Sequence, residues 1–259
     1  MTNPSLPPEI LDYIIDLLHD EPKTLRQCCL ASKSWVPRTR KYLFVDIKFR
    51  SASDLESWKK AFPEVANSPA YHAHTLFVGC PWLATALEAE GAGWVRAFSS
   101  VVSMEVNTGD RYIRASGDSL APLYGISPSL KSLRVGPVAL PNPQVFDLIC
   151  SFPLLEDLTL TGYDPLARGD YPGMPQANSP ALTGSLGLHI EGGAESTARQ
   201  LLELPNGLHF RKLALSWGWG KDLWWIKELV VMCSHTLESL DISHNLRGPC
   251  LHIRSSLRA

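Results

Sequence analysis

Two stretches of this 259-residue chain hold the residue types of nucleophilic catalysis. Gly117-Asp118-Ser119-Leu120 carries a serine on a turn-forming tetrapeptide, and Asp241-Ile242-Ser243-His244 sets an acid three residues before an imidazole. Serine, histidine and aspartate are the set from which an activated hydroxyl nucleophile is assembled. A second group suggests metal chemistry: Cys233, His235, His244, Cys250 and His252 are five soft or borderline ligand types within 20 residues. Structural zinc draws on close pairs such as C-x2-C or H-x3-H, and neither spacing occurs here. A thiol packed in a helix and surface histidines are the expectation, with no metal. No glycine-rich phosphate loop is present, and no cofactor is expected.

Two further clusters concern partners. Lys23, Arg26, Lys33, Arg38, Arg40, Lys41, Lys48 and Arg50 against Glu21 and Asp46 give residues 21–50 a local charge of +6. Such a stretch has the sign for phosphate contacts, but a solvated face or an acidic protein partner is the preferred reading. Trp217, Trp219, Trp224 and Trp225 place four of eight tryptophans within nine residues. Trp224 and Trp225 are expected to pack a helix. Trp217 and Trp219 flank glycines and are candidates for an aromatic contact patch on a loop.

Any of these groups needs elements to hold it in place. The hydrophobic fraction of 45% and charged fraction of 19% are those of a globular chain, and the net charge of −2 argues against a nucleic-acid coat protein. The first 20 residues carry acids and prolines where a secretory leader needs basic and apolar residues, and no run of 18 apolar residues occurs. Six irregularly spaced cysteines do not make a disulfide framework. These observations predict an intracellular protein with reduced thiols, cytoplasmic or nuclear, with no membrane contact.

Ile10, Leu11, Ile14, Leu17 and Leu18 form an apolar helix stripe, with Asp12 and Asp16 on the other side. Pro7 and Pro8 suit a first turn. Pro22 is expected to close this segment, and the capping-box spacing from Thr24 to Gln27 to open a second helix carrying Leu25, Cys28 and Cys29. A third helix is expected from Trp35 towards Leu43, with Pro37 in its first turn. The run Leu6-Pro7-Pro8-Glu9-Ile10-Leu11, followed by Ile14, Leu17, Leu18, Leu25, Cys28, Cys29, Ser32-Lys33-Ser34-Trp35 and Leu43-Phe44, closely resembles an F-box over about residues 5–45. It departs in carrying Ser32 where many F-boxes have cysteine. The resemblance implies binding to the Skp-type adaptor of a cullin–RING ubiquitin ligase. Leu6, Pro7, Ile10, Leu11, Ile14 and Leu25 are the adaptor-binding candidates, and Trp35 is either a contact or internal core.

The remaining chain repeats. An L-x-x-L-x-L pattern, with any apolar residue allowed, recurs at Phe44/Ile47/Phe49, Ala73/Leu76/Val78, Val101/Met104/Val106, Leu130/Leu133/Val135, Leu155/Leu158/Leu160, Leu182/Leu186/Leu188, Phe210/Leu213/Leu215 and Leu237/Leu240/Ile242. The first members stand 25 to 29 residues apart, with a mean near 27.6, and 38 leucines supply most anchors. That period is in the range of leucine-rich repeats, which this portion resembles. Each L-x-L predicts a short strand with two side chains on one face. Residues 142–152, 196–204 and 222–233 predict outer helices, and Pro128, Pro153 and Pro180 punctuate the passage into strands. Residues 162–180 read as a long loop. Glu105, Arg134, Thr159, Lys212 and Asp241 lie at outward strand positions and are candidates for target contact.

The GDSL tetrapeptide resembles the block that names GDSL-type hydrolases. In such an enzyme Ser119 is the nucleophile, His244 its base and Asp241 the orienting acid. The family's G-x-N-D block is missing, and the tetrapeptide lies far from the N-terminus. The expectation is therefore not an enzyme but an α/β protein: a three-helix F-box head over residues 1–45, then a leucine-rich-repeat solenoid over 46–259. Seven or eight irregular repeats would place a parallel sheet on the concave face. The last full motif ends 14 residues before residue 259, which predicts a truncated last repeat. The function implied is substrate recognition for an SCF-type ubiquitin ligase, with the adaptor and its cullin as partners, an unknown target protein, no nucleic acid and no small-molecule substrate. An F-box scaffold acting without the ligase is the alternative, and the hydrolase ranks below both.

Overall fold

The structure, a computed structural model, describes residues 7–79, 93–107, 120–140, 143–163, 180–191, 194–218, 223–244 and 251–256. Three helices come first: α1 (Pro8–Leu17), α2 (Pro22–Ala31) and α3 (Val36–Leu43). Pro8, Pro22 and Pro37 each stand in a first helical turn, where a missing N–H costs no hydrogen bond. Pro22 therefore opens α2 instead of closing α1. The expected cap at Thr24 is a residue inside that helix, and its hydroxyl donates back to Glu21 at 2.8 Å.

The core side of α1 also differs from the expected stripe. Ile15 is its buried residue, and it shares the head's interior with Leu25 and Thr39. The Thr39 hydroxyl donates to the Trp35 carbonyl at 2.9 Å and lies 2.7 Å from the Cys29 thiol. Asp16 clasps α1 to α3, because both nitrogens of the Arg38 fork and the Tyr42 hydroxyl donate to its carboxylate. The Arg38 guanidinium, and after it the Tyr42 hydroxyl, hold the Asp16 carboxyl down at about 2.

Nine strands then form one sheet among the described residues, in chain order. They are β1 (Asp46–Phe49), β2 (Thr75–Gly79), β3 (Ser103–Asn107), β4 (Ser132–Ala139), β5 (Asp157–Tyr163), β6 (Ser185–Glu191), β7 (Lys212–Trp217), β8 (Ser239–His244) and β9 (Leu251–Ser256). β1 to β8 are parallel throughout; β9 returns antiparallel on β8, a reversal the repeat did not predict. Helices α4 (Ala52–Ala61), α5 (Gly93–Arg96), α6 (Pro143–Cys150), α7 (Glu195–Leu202) and α8 (Trp224–Met232) connect strands. The molecule is thus α/β with a parallel sheet, as its periodicity predicts.

The register shows what the period encodes. Ile47, Leu76, Met104, Leu133, Leu158, Leu186, Leu213 and Leu240 align across successive strands, and so do Phe49, Val78, Val106, Val135, Leu160, Leu188, Leu215 and Ile242. Both rows point into one core shared with Leu55, Phe98, Val145, Phe146, Leu148, Ile149, Ala198, Leu201, Trp225 and Leu229 of the connecting segments. One face of the sheet is therefore packed, and burial falls at alternate residues. The described connecting segments that supply these side chains pack on that face.

A repeated hydrogen-bond motif starts β2 to β5, β7 and β8. The Val45 carbonyl accepts from His74 and Thr75, His74 from Val102 and Ser103, Val102 from Lys131 and Ser132, and Lys131 from Glu156 and Asp157. The pattern breaks at β6, where the spacing from Leu182 to Leu186 holds one extra residue. There Glu156 accepts from Gly184, and the Ser185 N–H turns to the Asp157 carboxylate at 2.7 Å. The Ser185 hydroxyl donates to the same oxygen at 2.7 Å. A Cβ on Gly184 would lie 2.4 Å from that oxygen, so glycine at 184 is what admits it.

Candidate partner-binding surfaces

Two surfaces combine exposure with a regular arrangement. The first is α1. Ile10, Tyr13, Ile14 and Leu17 fall at i, i+3, i+4 and i+7, the spacing of a single helix face. Their exposures are 46%, 62%, 40% and 64%. Four large apolar side chains in one stripe on a helix held from behind by Ile15 and the Asp16 clasp form an exposed apolar face, a candidate contact surface. Pro7 is exposed at its start, Leu11 is half-buried and Leu6 lies outside the described residues. Leu25 belongs elsewhere: it is fully buried, so it supports the packing of α2 and presents nothing to a partner. Tyr13 and Leu17 were missing from the candidate contacts, although the same 3.6-residue spacing includes both. Trp35 is half-buried.

The second surface is the open face of the sheet. Its central row runs Lys48, Phe77, Glu105, Arg134, Thr159, Gly187, Ala214 and Asp241, in direct register. Four of the five sequence candidates are in this one row. Lys212 shares the face but stands one row nearer the strand starts, beside Ser185 and Ser239, and Ala214 holds the equivalent position. Beyond the central row come Thr161, His189, Ser216 and Ser243. The middle of the face is accordingly built of small hydroxyl, methyl and glycine positions, with one imidazole. Burial, then the nearby Arg134 charge, lower the His189 pKa, while Asp241 acts in the opposite sense.

Of the nucleophile and metal candidates, Asp241, Cys233 and His235 are described. Ser119, Trp219 and Cys250 lie outside the described residues, as do the side chains of His244 and His252. Asp241 sits in the open-face row of β8, three positions before His244. Among the described residues no group of three His, Cys, Asp or Glu side chains is disposed to hold a metal. Cys233 is buried, which raises its thiol pKa, and His235 is exposed. Cys150 is pushed up to about 11 by burial.

Trp217 is not a surface aromatic either. It closes β7 on the packed side and meets Trp225 edge-to-face at 5.6 Å. Trp224 is the exposed member, with the Arg199 guanidinium over its ring at 5.7 Å. No described helix is long and apolar enough to cross a membrane. No protein-family model, no curated protein and no solved structure matches the chain.

Proposed function

We propose that this chain is an F-box protein with divergent leucine-rich repeats, acting as the substrate-recognition subunit of an SCF-type ubiquitin ligase. The carrying observation is the outward stripe Ile10, Tyr13, Ile14 and Leu17 on α1, which begins Pro8-Glu9 and follows Leu6-Pro7 in the sequence. Docked in a groove of the Skp-type adaptor, this face loses water from four apolar side chains at once, and a few such anchors supply most of the binding energy of a helix-in-groove contact. The repeats supply the second attachment. Their open sheet face, with Glu105, Arg134, Thr159, Asp241 and, one row lower, Lys212, receives the target protein.

The chemistry is proximity. Holding the ligase at one end and the target along the sheet converts ubiquitin transfer from an encounter in solution into a reaction at high effective concentration. Bond making belongs to the other subunits, and this chain contributes no reacting group.

Purified full-length chain is expected to bind a purified Skp-type adaptor in a pull-down. Ile10→Asp and Ile14→Asp, at exposed positions that leave folding intact, are each expected to weaken that binding about 30-fold or more. If the wild-type chain binds none of a panel of such adaptors, the proposal fails. Adaptor binding without recruitment of a cullin identifies the scaffold alternative.

A further inference from the structure

Most of the positive charge between positions 23 and 50 has no partner. Of its eight cations, Arg38 alone meets a carboxylate among the described residues. Two of the others come together with two imidazoles where the head meets the first repeats. Helix α3, which carries Arg40 and Lys41, packs against the 3-10 turn Pro69–His72 that precedes β2. The Arg40 guanidinium lies 5.7 Å from the centre of the Phe62 ring, and the Lys41 ammonium lies 5.7 Å from that of Tyr42. The His72 ring is 4.1 Å from that of the exposed Tyr71. Burial, then Lys41, His74 and Arg40, lower the His72 pKa, so three basic groups stand around this one imidazole. Lys41 and His74 are exposed, and Arg40 and His72 are half-buried.

We infer that this cluster is a docking site for an acidic protein segment, one that carries several Asp or Glu side chains close together. Unpaired cations attract any anion, and their arrangement selects among anions. Arg40 and Lys41 are consecutive on a helix, so their side chains diverge by about 100°. Each is also held on a ring of its own. They do not close on one phosphate, but they suit separate carboxylates, each taken by its own cation.

A nucleic acid needs a longer basic track and bare rings for its bases. Here the positive surface is short: Asp46 is in register with Thr75 beside His74, and Glu64 follows Phe62 by two residues. The rings of Phe62, Tyr42 and Tyr71 are already engaged by Arg40, Lys41 and His72. The four basic groups lie on α3 and the segment before β2, not on α1, so this inference stands apart from the adaptor reading.

The test titrates the full chain into a fluorescent peptide of alternating Glu and Ser. Binding is expected at low salt, weakening about tenfold or more as NaCl rises from about 50 mM to about 500 mM, because exposed charges are screened. Lys41→Glu is expected to weaken binding about tenfold or more, since it sets like charges against each other. Arg40→Gln and His74→Gln are expected to weaken it less, and Lys227→Glu on α8 to leave it unchanged. Lys41 and His74 are exposed, so their variants report on the site even if loss of the Arg40–Phe62 contact disturbs folding; unaltered thermal unfolding checks this. The inference is overturned if the peptide does not bind, or if Lys227→Glu weakens binding as much as Lys41→Glu. It is equally overturned if a peptide with a single phosphoserine, an oligouridylate or vesicles of phosphatidylserine bind more tightly at these residues than the Glu peptide. Adaptor pull-down of the Lys41→Glu chain is expected to match wild type, and its loss would show the cluster to be part of the adaptor contact and overturn the separate site.

Discussion

Single residues repair the places where the repeat is imperfect. The extra residue before Leu186 would leave the Ser185 N–H without its usual carbonyl, and Asp157 takes over as acceptor. Leaving a partly buried N–H unsatisfied costs about 1–3 kcal/mol. Asp157→Ala is expected to lose stability in that range in urea unfolding, while Asp157→Asn, which keeps an acceptor oxygen, recovers most of it. Equal stability of all three proteins would show that water serves Ser185 as well. Gly136 is a comparable accommodation: its φ is +147°, and a Cβ there would lie 2.2 Å from the Thr161 carbonyl oxygen. It sits where the β4–β5 register shifts between Val135 and Val138, so the chain crosses the irregularity on the residue that has no side chain to clash.

At the level of elements, the head holds together by charge as well as by apolar contact. Asp16 joins α1 to both Arg38 and Tyr42 of α3. Its folded carboxyl titrates near 2, below the ordinary 3.8. A depressed acid stabilises the fold above the unfolded value and loses that contribution as the pH falls towards 2. Thermal unfolding followed from pH 6 down to pH 2 is expected to show a larger loss of Tm below pH 4 for wild type than for Asp16→Asn. Parallel curves would mean that the clasp adds nothing.

Strands were legible because two apolar side chains at spacing two, repeated every 25 to 29 residues, leave few alternatives. Helix ends were less so: Thr24 and Gln27 carry a capping spacing, but Pro22 two residues earlier already fits a first turn and prevails. The outward helix face was half legible, since hydropathy marks the apolar residues of α1 without saying that Ile15 turns inward and Ile14 outward.

For the whole molecule, burial is uneven along the sheet. Leu158, Leu160, Leu186 and Leu188 are fully buried, whereas Leu237, Leu240 and Ile242 are partly exposed at the core's edge. Local opening follows local burial. Hydrogen–deuterium exchange of the full chain is expected to show amides of β8 exchanging at least tenfold faster than those of β5 and β6. Uniform protection from β1 to β8 would mean that the sheet opens only as one unit.

The strict order of the strands also bears on synthesis. Each of β2 to β8 has its first partner about 28 residues upstream, and β9 folds back on the strand just before it. A ribosome adding about 5–20 residues per second releases one such unit every few seconds, long after the preceding strand has left the exit tunnel. The sheet can grow from its amino-terminal edge as the polypeptide emerges, each new unit finding its template already in place.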